Sequence, residues 1–368
     1  MLGKQAFTFI LFLLFSLLPF YLLTMQSLFT DTIQGKATSR PPVWFMRQAG
    51  RVLPNYRALK EHHSFSEMME DPALAAKVTL MPIHDLGVDA AILFSDILVV
   101  PEALGMSLKF TNEGPVFGAP LHTYDDPVKQ LTRDMTKLDH VYAAIDEIIK
   151  TRPANMPLIG FCGGLLTTFC FMFRDNVRDI TFKNATEFLY KERKTSQKII
   201  DALTEVSIEY ALKQADHGVE AFQLFETYGG LLPEELYLDM ILPASKKILN
   251  AVRDKGVPTI YFPKDLGHGI SSVTKDVADF VGIDWRMSLK HAREIVDPEV
   301  GLQGNLDPRL LYADQATIEA ELNKTYLPFG KDNQKWIFNL GHGILPDLPV
   351  ENVKFVIDWV KSVDWMRS

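Results

Sequence analysis

The sequence comprises 368 residues, of which 47% are hydrophobic and 23% are charged, and its formal net charge is −8 at pH 7. This composition excludes a disordered or fibrous chain, and the acidic balance disfavours nonspecific binding to nucleic acid or to anionic membranes. The two cysteines, Cys162 and Cys170, are too few for a disulfide scaffold and lack the spacing of a structural zinc site, which fits a reducing, cytoplasmic compartment.

Residues 1–24 form an apolar N-terminal segment. A membrane span needs about 20 apolar residues and the core of a signal peptide about 7 to 15, so the run at residues 7–23 is borderline for either. No cleavage pattern of small residues follows it, and Met25 comes directly afterwards, ahead of a polar stretch. We therefore favour an upstream extension, with translation beginning at Met25, over a membrane anchor, and we assign residues 25–368 to one folded unit.

The first motif of that unit is an apolar run, residues 42–46, that ends in two arginines, Arg47 and Arg51, with Gly50 beside them. This pattern is typical of a buried strand that delivers two guanidinium groups into a loop. Guanidinium stays charged and donates paired hydrogen bonds to carboxylate or phosphate, so the two arginines indicate a polyanionic ligand. A surface loop with two solvated charges is the alternative, and this stretch alone does not separate the two.

The rest of the chain alternates helical patterns with short apolar runs. Helices are predicted at residues 73–86, 185–213, 236–255 and 350–361. Seven further strands are predicted at residues 90–94, 157–161, 221–225, 258–262, 279–283, 300–303 and 336–339.

Eight strands that alternate with helices predict a parallel sheet, and their number predicts closure into a single-domain (β/α)8 TIM barrel. The C-terminal strand ends of that fold lie on one face, which carries the active site. We expect the polar residues after the strands to converge there: Arg47, Arg51, Asp96, Glu226, Thr227, Asp284, Asn305 and His342. An open doubly wound sheet is the competing architecture, and the lack of G-x-G-x-x-G after the first strand disfavours it.

Asp96 follows a strand so apolar that its carboxylate is partly desolvated and needs hydrogen-bond donors. A ligand with several N–H groups would supply them. The structural alternative makes Asp96 a cap for the helix that begins near Pro101, and the residues alone favour this cap.

Four segments resemble the uroporphyrinogen decarboxylase family: residues 42–51, 94–101, 302–308 and 339–347. The resemblance runs in one register from about residue 28 to residue 359. It implies a single-domain barrel, commonly a homodimer, that removes carbon dioxide from the four acetate side chains of uroporphyrinogen III to give coproporphyrinogen III in tetrapyrrole biosynthesis. It also implies a reaction that uses no cofactor and no metal.

The resemblance further implies which residues form the site. Arg47 and Arg51 bind substrate carboxylates, with the backbone at Ala49 also in contact, and Arg47 is a candidate proton donor although its high pKa makes it a reluctant acid. Asp96 accepts the pyrrole N–H groups and stabilises the positive charge that develops when a ring carbon is protonated. The other implied substrate contacts are Lys60, Phe171, Thr227 and His342.

Two of these positions depart from the family pattern. Phe171 stands where the family usually has a tyrosine, which removes one hydrogen bond worth about 0.5–1.5 kcal/mol. Lys60 stands where many relatives have an arginine, so the charge is kept and the bidentate geometry is lost. Slower turnover, or altered specificity among the four decarboxylations, is the expected consequence of the missing hydroxyl at Phe171.

Two other functions stay open at this point. One is a non-catalytic tetrapyrrole-binding or carrier protein, tethered by the N-terminal segment. The other is a zinc-dependent corrinoid methyltransferase, whose metal requires His and Cys ligands at late strand ends. Both cysteines of this chain lie around the third strand, which disfavours that second alternative.

Overall fold

The strands of a computed structural model, which describes residues 27–111 and 113–366, form two sheets. The larger sheet is parallel and contains β1 (Ala91–Ile92), β4 (Leu158–Gly163), β5 (Ala221–Glu226), β6 (Thr259–Pro263), β7 (Phe280–Gly282), β8 (Gly301–Leu306) and β9 (Trp336–Leu340). Its strands are neighbours in chain order, without the reversal that a doubly wound sheet requires. A separate antiparallel hairpin pairs β2 (Leu108–Thr111) with β3 (Gly114–Phe117).

The segment around Val43 closes the barrel between the first and last strands of this sheet. Val43 forms a parallel bridge with Phe338 of β9, and its carbonyl accepts a hydrogen bond of 2.8 Å from the N–H of Asp89, just before β1. The segment therefore occupies the eighth position of the ring. The predicted (β/α)8 barrel is confirmed, with the correction that residues 42–46 form an extended segment with one bridge and not a regular strand.

Side chains explain why this segment is not a regular strand, because they take hydrogen bonds that a ladder would otherwise make. Asp89 accepts from the N–H of Val43 at 2.8 Å, and Gln48 accepts from the N–H of Phe45 at 3.0 Å. The side-chain carbonyl of Asn339 accepts from the N–H of Met46 at 3.1 Å. The backbone donors are thus satisfied without strand pairing.

A chain of buried polar groups crosses the barrel interior. The indole N–H of Trp44 donates to Gln303 of β8 at 3.2 Å, and the amide of Gln303 donates to Gln223 of β5 at 3.1 Å. All three side chains are fully buried. Since a buried polar group must keep its partners, this chain holds the opening segment in register with two distant strands.

The helices follow the strands along the chain. Within the described residues they are α1 (Leu28–Ile33), α2 (Pro54–Lys60), α3 (Phe65–Glu70), α4 (Pro72–Asp85), α5 (Val99–Ala103), α6 (Asp139–Thr151), α7 (Leu165–Met172), α8 (Lys183–Lys191), α9 (Arg193–Asp216), α10 (Glu234–Met240), α11 (Leu242–Asp254), α12 (Leu289–Ile295), α13 (Gln315–Glu321), α14 (Leu327–Asp332) and α15 (Val350–Ser362).

Two predicted helices are each divided in two. The helix predicted at residues 185–213 is split at Glu192, which leaves helical backbone angles with φ −118° and ψ 53°. The helix predicted at residues 236–255 is interrupted at Ile241, and Pro243 lies in the first turn of the new helix, where its missing N–H costs nothing. The predicted start of α4 is confirmed, because the Asp71 carboxylate accepts from the N–H groups of Ala73 and Leu74.

Among residues 27–111 and 113–366, no helix combines the length and the apolar character that crossing a bilayer requires. The predicted apolar segment at residues 1–24 lies outside the described part of the chain.

Candidate active site

A cavity of about 890 Å³ lies at the C-terminal ends of the parallel strands. Its wall is built from the loop after the opening segment, the turn after α2, the turn after β1, the β2–β3 hairpin, α7, and the loops after β5 and β9. All eight site residues predicted from the sequence line it: Arg47, Ala49, Arg51, Lys60, Asp96, Phe171, Thr227 and His342. The structure thus brings these residues together, while their roles in binding and catalysis stay predictions.

Arg47 occupies a strained turn that the neighbouring chain supports. Its φ of +63° lies in the left-handed region that residues other than glycine rarely adopt. The carbonyl of Met46 accepts a hydrogen bond of 2.8 Å from the N–H of Ile344. A Cβ added at Gly343 would lie 2.3 Å from Cδ of Arg47, so only glycine leaves room for the arginine side chain. Strain and close packing together fix the direction of this guanidinium.

Three cations of the wall, Arg47, Arg51 and Lys60, are exposed to the cavity. Across residues 27–111 and 113–366, none of these three side chains has an ion pair or a hydrogen-bond acceptor. Protein atoms surround Arg47 on its other sides, and this burial lowers the pKa of its guanidinium, while Tyr228 and Asp96 oppose the shift. Unpaired cations around one concave space form a site for an anion with several carboxylates or phosphates.

Asp96 follows β1 and faces the same cavity. Its Oδ1 accepts a hydrogen bond of 2.8 Å from the N–H of Leu98, the residue before α5, so it stabilises the turn into that helix. Its Oδ2 has no hydrogen-bond partner among the described residues and is open to the cavity. Burial raises the pKa of Asp96 to about 6, against the opposing effects of the Leu98 N–H and of Arg47. The carboxylate can therefore accept a hydrogen bond from the start of the helix with Oδ1 and from a ligand with Oδ2.

His342 contributes a neutral imidazole. Its ring stacks on Trp285, with the centroids 6.0 Å apart and the planes 11° from parallel. Burial, followed by the charges of Arg47 and Lys264, lowers the pKa of His342 to about 3. At neutral pH this side chain offers one N–H donor and one lone pair, so it can hydrogen-bond a carboxylate but adds no charge.

Glu226 does not line the cavity, contrary to the expected convergence of strand-end residues. It is fully buried at the end of β5. Its carboxylate accepts from the N–H of Leu166 at 2.9 Å, from the N–H of Thr167 at 2.7 Å and from the hydroxyl of Thr167. Burial raises its pKa to about 7. Glu226 therefore anchors the first turn of α7, the helix that carries Phe171.

Asp284 and Asn305 also lie outside the cavity wall, which corrects the same expectation. The Asp284 carboxylate accepts from the backbone N–H groups of Asp265 and Arg286, each at 2.8 Å. Asn305 donates at 2.9 Å to the backbone carbonyl of Asp284. Both side chains satisfy backbone groups of the loops after β6 and β7, so they support the shape of this face without contacting the enclosed space.

One part of the wall is aromatic. Phe65 packs against Phe94 with a centroid distance of 5.2 Å and against Phe110 at 4.7 Å. Phe225 and Phe262 also line the cavity. A site with an aromatic surface and a set of unpaired cations suits a large apolar ring system with acidic substituents.

Arg174 and Tyr228 adjoin this site and were not predicted from the sequence. The guanidinium carbon of Arg174 lies 4.3 Å from the ring centroid of Phe171, and the ring of Tyr228 lies 6.1 Å from the same ring. Two signals in the sequence could have indicated these residues. Arg174 follows Phe171 by three residues, just beyond the end of α7, and Tyr228 is adjacent to Thr227.

The cysteines offer no metal site. Cys162 and Cys170 are both buried. Burial raises the pKa of Cys162 to about 12 and that of Cys170 well above its ordinary value, so both side chains stay protonated thiols. In the part of the chain that the structure describes, no group of three or more His, Cys, Asp or Glu side chains is arranged to hold a metal ion.

Comparison with known proteins identifies the family. The family described as Uroporphyrinogen decarboxylase (URO-D) matches residues 24–363. The chain belongs to the uroporphyrinogen decarboxylase family. It is 40% identical over 337 residues to the uroporphyrinogen decarboxylase of Trichlorobacter lovleyi, covering 91% of this chain and 98% of that protein. It is 36% identical over 343 residues to the uroporphyrinogen decarboxylase of Chloroherpeton thalassium, covering 92% and 97%.

Solved structures of low sequence identity share the fold. A methyltransferase from Methanosarcina mazei superposes with a TM-score of 0.72 at 20% identity, covering 91% of this chain and 98% of that one. A B12-independent methionine synthase from a Shewanella species gives a TM-score of 0.52 at 12% identity, covering 79% and 87%. Identities this low show a common fold alone.

Proposed function

We propose that this protein is an enzyme that decarboxylates the four acetate side chains of uroporphyrinogen III to give coproporphyrinogen III in tetrapyrrole biosynthesis. The observation that carries the proposal is one cavity that presents three unpaired cations, Arg47, Arg51 and Lys60, together with Asp96, whose second oxygen is free. Uroporphyrinogen carries eight carboxylates around its rim and four pyrrole N–H groups at its centre. Cations for the rim and the free oxygen of Asp96 for the centre are the complementary arrangement.

In the proposed binding mode, Oδ2 of Asp96 accepts the pyrrole N–H groups. Arg47, Arg51 and Lys60 bind carboxylates at the rim, the backbone at Ala49 adds a contact, and the neutral His342 and the Thr227 hydroxyl donate single hydrogen bonds. The aromatic wall contacts the apolar part of the macrocycle. Since each cation lacks an ion-pair partner among the residues that the structure describes, no ion pair within that part of the chain has to be broken when the substrate binds.

Ring protonation starts the proposed reaction. A proton added to a pyrrole carbon places positive charge on that ring, and the Asp96 carboxylate stabilises this charge. The bond from the acetate methylene to its carboxylate then breaks, its electron pair moves into the charged ring, and carbon dioxide leaves. Protonation of the methylene carbon and loss of the ring proton give a methyl group, so each cycle consumes one proton.

Arg47 is the proposed proton donor. An ordinary guanidinium is too weak an acid for this task. Burial lowers the pKa of Arg47, which reduces the difference in acidity between donor and ring. Its position on the cavity wall with Asp96 supports an assignment in which one residue delivers the proton and the other stabilises its product.

The decisive experiment incubates the purified protein with uroporphyrinogen III under anaerobic conditions and separates the products by chromatography. We expect coproporphyrinogen, preceded by intermediates that carry seven, six and five carboxylates. Substrate that is bound but recovered intact would refute the enzyme and favour a carrier. A requirement for added zinc and a corrinoid methyl donor would favour the methyltransferase alternative.

We further infer that residues 25–368 work as a homodimeric barrel in the cytoplasm, an inference that family resemblance supports. Light scattering during gel filtration tests the assembly, and we expect about twice the mass of 41.7 kDa calculated for the full chain, less any contribution of residues 1–24. A monomer at micromolar concentration contradicts the inference.

A further inference from the structure

Arg174 holds a fixed position against two residues of the cavity wall. Its guanidinium carbon lies 4.3 Å from the ring centroid of Phe171 and 5.9 Å from that of Phe182. Its Nη2 donates a hydrogen bond of 2.7 Å to the carbonyl of Pro115 in the β2–β3 hairpin. Phe171 and Pro115 both line the cavity. Stacking and this hydrogen bond restrict the guanidinium before any ligand arrives.

Arg174 makes no ion pair with a carboxylate of the described residues, although the negative charge of Asp179 acts on it. Within residues 27–111 and 113–366, its side chain makes no ion pair, and the Pro115 carbonyl is its one hydrogen-bond acceptor. The residue is half-buried, and burial lowers the pKa of its guanidinium. A partly desolvated cation with unused donors costs free energy in the empty protein, and an anionic ligand would offset that cost.

Tyr228, like Arg174, is not part of the cavity wall itself but packs against Phe171, which is part of it. Its ring packs 4.6 Å from Phe182 and 6.1 Å from Phe171. Its hydroxyl has no hydrogen-bond partner among the described residues. Burial raises the pKa of Tyr228, and the positive charges of Arg174 and Arg47 oppose that shift. Arg174 and Tyr228 both pack against the rings of Phe171 and Phe182, which places them next to the same two side chains.

We propose that Arg174 and Tyr228 form a carboxylate subsite on the α7 side of the cavity, in addition to the cations Arg47, Arg51 and Lys60. The ligand is one carboxylate of an acidic tetrapyrrole, held by two donors of the Arg174 guanidinium and by the Tyr228 hydroxyl. The proposal rests on the proposed function for the identity of the tetrapyrrole. The role of this subsite is to determine which carboxylates of the tetrapyrrole are held away from Asp96, and therefore which acetate reacts.

Direct binding of uroporphyrin, the fluorescent oxidised form that keeps all eight carboxylates, tests the subsite in the full chain. We expect Arg174→Gln to weaken binding by about tenfold, because a charge-assisted pair of hydrogen bonds is lost. Arg178→Gln is the matched control, since Arg178 lies in the same loop, is 84% exposed at its side chain and contacts Glu113 at 3.5 Å. The control should change the affinity less than twofold.

Tyr228→Phe provides a second arm that keeps the aromatic packing and removes only the hydroxyl. We expect about threefold weaker binding, and the double variant with Arg174→Gln should lose less than the product of the two single effects, because both groups bind one carboxylate. Equal affinities for Arg174→Gln and Arg178→Gln would overturn the proposal. So would strictly multiplicative effects, or a lower melting temperature of Arg174→Gln with no change in Kd.

These outcomes are distinguishable from failure of the proposed function. The porphyrin titration requires no turnover, so it reports on the subsite even in a protein that leaves uroporphyrinogen intact. Conversely, an active wild type with unchanged affinity in Arg174→Gln would refute the subsite and leave the decarboxylase assignment in place.

Discussion

Asp96 and Arg47 lie in the same enclosed space, where burial shifts their pKa values in opposite directions. It raises the pKa of the Asp96 carboxyl to about 6 and lowers that of the Arg47 guanidinium. In each case the neutral form is favoured relative to the same group in water. The pKa values of both groups therefore shift toward the pH range in which a proton can be exchanged.

Asp96→Asn tests the role of the negative charge. The amide keeps the size of the side chain and its carbonyl can still accept from Leu98, so we expect the fold to persist. The charge that stabilises the protonated ring is lost, and kcat should fall by about 100- to 1000-fold. Anaerobic kinetics and a thermal melt are the measurements. Near-normal activity in a folded variant would remove Asp96 from the mechanism.

The raised pKa of Asp96 predicts a dependence of activity on pH. The ionised form is the active one, so it dominates above a pH of about 6 and is lost as the pH falls through that value. We expect kcat/KM to fall about tenfold per pH unit on the acid side. The charged and titratable neighbours are Arg47 and Tyr210, and burial raises the pKa of Tyr210 well above its ordinary value, away from this range. A flat profile between pH 5 and pH 7 contradicts this assignment.

Arg47→Ala removes the proposed proton donor, which is also one of the proposed carboxylate-binding residues. We expect productive binding to be abolished, with uroporphyrin affinity lowered by about 100-fold or more, since at least two charge-assisted hydrogen bonds are lost. Fluorescence titration provides the measurement, and Arg178→Ala provides the same change of charge outside the cavity wall. Normal affinity in Arg47→Ala would show that the carboxylates bind elsewhere.

At the scale of the element, the opening segment and the loop after β9 position Arg47 jointly. The carbonyl of Met46 accepts a hydrogen bond from the N–H of Ile344, and the N–H of Met46 donates to the side chain of Asn339. These hydrogen bonds join the two loops into one unit. Gly343 lies against the arginine side chain within this unit. Displacement of either loop changes the direction of the guanidinium.

Gly343→Ala is predicted to act through Arg47. The added Cβ would lie 2.3 Å from Cδ of Arg47, so the side chain must move. We expect kcat/KM to fall about tenfold, with a stability loss of about 1–3 kcal/mol from overpacking. Kinetics and denaturant unfolding measure the two effects. In the Arg47→Ala background the same change should have no further effect on uroporphyrin affinity, and an additive effect would contradict the mechanism.

The sequence also shows, at this scale, what a local pattern can predict. The apolar runs located β4, β5 and β6 to within a few residues, because such strands are buried on both faces. The pattern at residues 42–46 looked the same, yet Asp89, Gln48 and Asn339 replace its ladder bonds. Two of these partners are distant in sequence, so no local pattern could have revealed the exchange.

At the scale of the whole molecule, strand order brings residues that are distant in sequence onto one face. This topological rule predicted the convergence of Arg47, Arg51, Asp96, Thr227 and His342, and family resemblance added Ala49, Lys60 and Phe171. Strand order predicts the face of the barrel on which a residue lies, but it does not predict the direction in which the side chain points. Glu226, Asp284 and Asn305 end strands as well, but they turn toward unsatisfied backbone groups of neighbouring loops. Arg174 lies on no strand, so the same rule passed over it.

Because the segment around Val43 closes the barrel against the last strand, the site around Arg47 can form only late in synthesis. Arg47 stands near the beginning of the described chain and Asn339, Gly343 and Ile344 near its end, yet they form one turn. During synthesis the anion site cannot assemble until β9 and its loop have left the ribosome. The site therefore requires the chain through Ile344, and a product truncated before β9 would lack the partners that position Arg47.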